Sequence, residues 1–184
     1  MKRFAVLGNP VSHSQSPLIF NKAFAESGID AHYSRLLMDD LTEFPEMLNL
    51  LKPNGLNVTT PFKNDVIQYL DETDQSIDKI NAVNTIIIND KTIGCNTDCM
   101  GVYSTLKDEL VSPDTKILVI GSGNAASAAI YGLYGKAEIY LFNRTKSKLD
   151  KFKYCYPNIN IINDIKTCDI VFDILVSAIP NSAV

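Results

Sequence analysis

Short apolar runs along the chain trade places with stretches in which apolar positions return every three or four residues, and this exchange of periods lays out alternating strands and helices. Residues 4–7 read as a first strand. Ser16-Pro17 opens an amphipathic helix, with Ser16 as N-cap, Pro17 as first helical residue and Gly28 as the stop. A strand over 33–38 precedes a helix over 41–51, and a third strand over 56–59 runs into a turn and helix opened by Thr60-Pro61. The βαβαβ order predicts a parallel sheet with helices on both faces. Residues 83–88 and 92–95, separated by Asn89-Asp90-Lys91, predict an antiparallel hairpin at the edge of that sheet.

Beyond the hairpin, Val102, Leu106 and Leu110 mark a helix over 98–110 that links two halves of the chain. The second half opens on a strand over 116–120 that runs into Gly121-Ser122-Gly123-Asn124-Ala125-Ala126 and an Ala-rich helix reaching about Tyr134. Strands over 138–142, 160–162 and 174–177 and a helix over 146–154 follow, and the apolar stretch 170–180 reads as buried structure. The fold class is α/β. A mixed, mostly parallel substrate-binding sheet is expected over 1–101. Over 102–184 we expect a Rossmann-type dinucleotide-binding domain, incomplete at its C-terminal side with about four of the usual six strands.

Composition narrows the function classes: 46% hydrophobic and 21% charged residues describe a globular chain. A formal net charge of -4 supplies no basic face for a nucleic-acid partner. Only residues 4–7 are apolar between Met1-Lys2-Arg3 and Gly8-Asn9-Pro10, which is too short for a secretory signal, and no run is long enough to span a bilayer. No membrane partner and a cytoplasmic location are therefore expected; a homodimer stays open. Cys95, Cys99, Cys155 and Cys168 form no C-x-x-C pair and lie far in sequence from His13 and His32, so no metal site is expected and the thiols read as small packed hydrophobes.

The run 121–126 is a G-x-G-x-x-A pattern between an apolar strand and a helix, the context that gives such a pattern meaning. Gly121 permits the tight turn, Gly123 lets backbone approach a pyrophosphate, and Ala126 keeps helix and sheet close. The helix N-terminus offers unpaired N–H groups to the anion. About twenty residues on, where an NAD enzyme presents a carboxylate to the ribose, the chain has Asn143-Arg144-Thr145. A guanidinium there, with Lys146 and Lys148 behind it, favours the 2'-phosphate of NADP.

In the first half, polar segments interrupt the apolar pattern where strands end: 12–17, 57–63, and 81–85 with its hairpin partner 94–98. Hydroxyls and amides gathered in this way suit a small polyol substrate. Taken singly, each has a structural reading as well, Ser16 and Thr60 as N-caps before proline and Asp98 as a helix cap.

These segments together (Gly8-Asn9-Pro10, Ser12-His13-Ser14-Gln15-Ser16-Pro17, Asn57-Val58-Thr59-Thr60-Pro61-Phe62-Lys63, Ala82-Val83-Asn84-Thr85, Asn96-Thr97-Asp98, Gly121-Ser122-Gly123 and Asn143-Arg144-Thr145) resemble the shikimate dehydrogenases in order and spacing over essentially the whole chain. The resemblance implies reversible NADPH-dependent reduction of 3-dehydroshikimate to shikimate, a step of aromatic amino acid and chorismate biosynthesis. It implies that Lys63 and Asp98 form the catalytic pair, and that Ser14, Ser16, Thr59, Asn84 and Asp98 hold the substrate. Gly121, Ser122, Gly123, Asn124 and Ala125 would meet the cofactor, and Asn143, Arg144, Thr145 and Lys148 would face its 2'-phosphate. The chain departs from the family pattern at Phe20 (commonly His), at Asn81, Cys99 and Asn124 (each commonly Gly), and at Ser177 and Ile179 before Pro180 (commonly Asn and Thr). A quinate or shikimate dehydrogenase with relaxed substrate or cofactor choice, and a non-catalytic shikimate-binding sensor, are the alternatives.

Overall fold

The computed structural model describes residues 1–179, so Pro180, which closes the last apolar stretch, lies outside the described residues with 181–184. The chain forms two units, Met1–Asn96 and a second that begins at Thr97, where the sequence suggested a boundary between 101 and 102.

In the first unit the elements run β1 (Lys2–Gly8), α1 (Ser16–Glu26), β2 (Ala31–Leu37), α2 (Phe44–Leu51) and β3 (Gly55–Val58). A 3-10 helix (Asp65–Tyr69), β4 (Glu72–Thr73), α3 (Ile77–Ile80), β5 (Thr85–Ile88) and β6 (Thr92–Cys95) follow. They form one six-stranded sheet in the order β2-β1-β3-β5-β6-β4. β1 pairs in parallel with both β2 and β3, while β5 runs antiparallel to β3 and to β6. Alternation along β1 splits its side chains between two cores. Ala5 and Leu7 join Leu56, Val58, Phe44 and Phe62 on the α2 side, and Val6 joins Val11 and Tyr33, with Phe24 of α1, on the other.

Three expectations need correction here. The hairpin is interior rather than at the edge, because the two-residue strand β4 pairs with β6 outside it. Ser16 is the first residue of α1 and not its N-cap; Gln15 holds that place without a side-chain cap. The helix placed after Thr60-Pro61 begins only at Asp65, since Phe62 N–H donates to Thr59 O at 3.1 Å and closes a turn first. The positive φ of Asn81, 53°, explains a position commonly occupied by glycine, because Asn is among the few other residues that adopt this conformation readily.

The second unit contains α4 (Asp98–Leu106), β7 (Lys116–Ile120), α5 (Asn124–Leu133), β8 (Glu138–Phe142), a 3-10 turn (Lys146–Leu149), α6 (Asp150–Cys155), β9 (Asn160–Ile161) and β10 (Ile174–Ser177). Its strands are all parallel in the order β10-β7-β8-β9. Ile117, Val119, Ala126, Ile130 and Leu141 form the core, and Val102, Leu106 and Leu110 pack half-buried against it. The linking helix thus belongs to this unit. The stretch read as buried is so only in part: β10 alternates half-buried and exposed positions, with Leu175 62% exposed. No helix among the described residues is long and apolar enough to cross a membrane.

Within this unit α5 lies close to α4 at Gly132, where an added Cβ would stand 2.4 Å from the Cys99 carbonyl oxygen. Backbone cannot yield as a flexible side chain can, so Gly132→Ala forces the two helices apart. We expect a loss of about 1–3 kcal/mol, the usual cost of overpacking, read as a lower urea midpoint at unchanged slope.

Candidate functional site

Parallel and antiparallel pairing decide where the polar segments fall. The C-terminal ends of β1 and β3 share one end of the first-unit sheet, and antiparallel β5 starts there, with Thr85 opposite Asn57. β6 ends there too, Cys95 standing opposite Thr85. The segments around residues 12–17, 57–63, 81–85 and 94–96 therefore emerge together, at the strand ends where open parallel sheets bind ligands.

Hydrogen bonds stitch these segments to one another. Thr59 N–H donates to Leu7 O at 2.9 Å, and Asn9 N–H donates to Thr60 O at 3.0 Å. Val83 N–H donates to Lys63 O at 2.7 Å, and Val58 N–H donates to Asn84 O at 2.8 Å. Buried Asn96 donates from Nδ2 to Ala82 O at 2.7 Å. Ser14, Ser16, Thr59 and Lys63 are half-buried and Asn84 is buried, so each predicted group of this unit is held in a packed loop. The Ser14 hydroxyl accepts from Ser16 N–H at 3.3 Å.

Residues absent from the predicted set hold these loops. Tyr33 and Arg35 lie two apart on β2 and so point to one face. Arg35 donates to Ser14 O from Nε at 3.2 Å and from Nη2 at 2.6 Å. Tyr33 donates from its hydroxyl to Asn57 Oδ1 at 2.6 Å, and Asn21 of α1 bonds both the N–H and the carbonyl of Tyr33 at 2.8 Å. Burial pushes the Tyr33 phenol up to about 12, with the Ser16 hydrogen bond pulling more weakly the other way. The one signal in the sequence is the alternation of Tyr33 and Arg35 within a strand segment, and spacing alone does not say which loop they meet.

In the second unit the glycine turn stands where strand order reverses, β8 lying on one side of β7 and β10 on the other. Gly121 has φ +124°, and a Cβ there would stand 2.6 Å from Ala178 O. Gly121 N–H donates to Phe142 O at 2.9 Å, which brings the turn beside the segment that follows β8. Ser177 and Ile179 flank the carbonyl-bearing Ala178, so two of the departures from the family pattern border this turn. Nothing lies within 4 Å of a Cβ built on Gly123, the N-cap of α5, so space is open for a group to approach the first N–H groups of that helix.

Past β8, Asn143 Nδ2 donates to Thr145 O at 2.8 Å, while Arg144, Lys146 and Lys148 are exposed. Lys151 lies below the ordinary lysine range, chiefly through desolvation, with the charge of Lys148 acting in the same sense. Open backbone at a helix N-terminus beside several cations fits a phosphorylated dinucleotide in both shape and charge. Asp98 is the first residue of α4, behind the N-cap Thr97, where its carboxylate also complements the helix dipole. It belongs to the second unit, and Lys63 belongs to the first.

Residues 6–86 match the family model of the shikimate dehydrogenase substrate binding domain. Shikimate dehydrogenase (NADP(+)) of Ignicoccus hospitalis is 34% identical over 177 residues, covering 92% of this chain and 67% of the relative. The chain belongs to the shikimate dehydrogenase family. The enzyme of the same name from Caldicellulosiruptor bescii is 38% identical over 167 residues, 86% of this chain and 58% of that protein. The chain thus spans about three fifths of the length of such curated relatives, 58% and 60% in two cases. Among solved structures, shikimate 5-dehydrogenase of Thermus thermophilus, in complex with NADP(H) and shikimate, superposes with a TM-score of 0.84 at 29% identity, covering 97% of this chain and 69% of that one.

Proposed function

We propose that this chain carries out the reversible NADPH-dependent reduction of 3-dehydroshikimate to shikimate in aromatic amino acid biosynthesis, with NADP as cofactor and a cytoplasmic location. The observation that carries the reading is the gathering of Ser14, Ser16, Thr59, Lys63 and Asn84 at one end of a sheet. Family membership and the ligands of the Thermus relative support it.

Under this reading Ser14, Ser16, Thr59 and Asn84 bind the hydroxyls and carboxylate of the substrate. The hydroxyls of a polyol both donate and accept, and protein hydroxyls with an amide can partner both roles. Bound NADPH supplies the hydride. As it arrives, negative charge builds on the former ketone oxygen, and the Lys63 ammonium meets that charge and delivers the proton. Asp98 is assigned as the other member of the catalytic pair and as a group that holds the substrate. The glycine turn from Gly121 to Ala125 receives the pyrophosphate, and Asn143, Arg144, Thr145 and Lys148 receive the 2'-phosphate.

Absorbance at the nicotinamide band, with shikimate and either NADP+ or NAD+ added to the full chain, tests the proposal. We expect turnover with NADP+ and a clear preference for it over NAD+. Lys63→Ala should lower kcat by about 10²–10⁴ with little change in KM for shikimate, as loss of a general acid does; near-normal turnover removes Lys63 from the mechanism. Arg144→Ala should raise KM for NADP+ by about tenfold or more while leaving KM for NAD+ nearly unchanged, as loss of a charged phosphate contact requires.

A further inference from the structure

Under α1, one face of the first-unit sheet carries a chain of polar side chains that ends at a loop assigned above to substrate. Tyr33 stands at its head. Its side chain is almost wholly covered, at 3% exposure, and the Phe20 ring stacks on it with centroids 4.6 Å apart and planes within 6°. The phenol donates to Asn57 Oδ1 at 2.6 Å. An amide oxygen accepts and its NH2 donates, so this bond fixes which way Asn57 is turned. Asn57 Nδ2 donates to Thr85 Oγ1 at 3.2 Å, and the Thr85 hydroxyl donates to Asn84 Oδ1 at 2.9 Å.

The bonds run in one direction, from Tyr33 through Asn57 and Thr85 to Asn84. The raised phenol value keeps Tyr33 protonated, and so a donor, across the physiological range.

We propose that Tyr33 is a positioning residue that, through Asn57 and Thr85, sets the polarity which Asn84 presents to a polyol. Asn84, with Oδ1 engaged by Thr85, meets it as a donor through its NH2. The pattern of ring hydroxyls accepted at this end of the sheet is thereby written partly by side chains that do not touch the ligand. This inference rests on the substrate reading above.

Calorimetric titration of shikimate into the full chain tests it without requiring turnover. Tyr33→Phe removes the relay hydroxyl and keeps the ring on Phe20; we expect Kd to rise about tenfold, the scale of one oriented hydrogen bond, at a melting temperature within a few degrees of the parent. Thr85→Val cuts the same relay further along and gives a second reading should Tyr33→Phe fail to fold. The double variant should bind no worse than the weaker single one, because groups in one network are non-additive where independent packing losses add. Unchanged shikimate affinity in Tyr33→Phe and Thr85→Val, or additive losses in the double variant, overturns the relay and leaves the functional reading standing. Absence of shikimate binding by the parent chain overturns both.

Discussion

Parallel pairing of β1 with both β2 and β3 compels the connections after these strands to leave the sheet at one end. The antiparallel turn-back of β5 and β6 brings two further segments to the same end. Once that register is set, residues far apart in sequence become neighbours with no further instruction. Ser14 comes from the loop after β1 and Ser16 from the start of α1, Thr59 and Lys63 from the loop after β3, and Asn84 from the approach to β5. The register itself is held by alternation. A slip of one residue in β1 would take Ala5 and Leu7 out of the core beneath α2 and put Val6 in their place, so the hydrophobic pattern and the placement of the polar loops are one constraint.

The second unit obeys the same rule of strand order. β7 sits between β8 and β10, and the turn after it must bend sharply enough to start α5 while passing close to Ala178. Gly121 meets both demands because it carries no side chain. The anion-seeking groups are then supplied by geometry, as helix N–H groups, and by composition, as Arg144 with Lys146 and Lys148. On the proposed reading such a surface would bind phosphate through charge, with an affinity that falls as salt is added.

Much of this was legible in the sequence because it depends on periodicity and on turn residues. The strands of both halves, the hairpin, the glycine turn and the cation-bearing segment after β8 fall close to where the pattern put them. What the sequence did not reveal depends on contacts between distant residues. β4, at two residues, is too short to show a period, and without it the hairpin reads as an edge. Ser16 looks like a cap because serine before proline commonly is one; the helix instead takes Ser16 into its first turn and leaves Gln15 at the cap. Leu175 is exposed although it lies in an apolar run, since such a run does not show which face of its strand a neighbour covers. Arg35 escaped notice for a similar reason, since an arginine on an outer strand gives no hint that it clasps the Ser14 carbonyl.

A crystal structure of the full chain grown with shikimate and NADP+ is the most direct measurement of the central claim. The account predicts the ring of shikimate at the C-terminal ends of β1 and β3, within hydrogen-bond distance of Ser14, Ser16, Thr59 and Asn84, with the Lys63 ammonium on the oxygen that is oxidised. Shikimate bound elsewhere on the chain, or bound at that end with Lys63 and Asp98 both directed away from it, contradicts it.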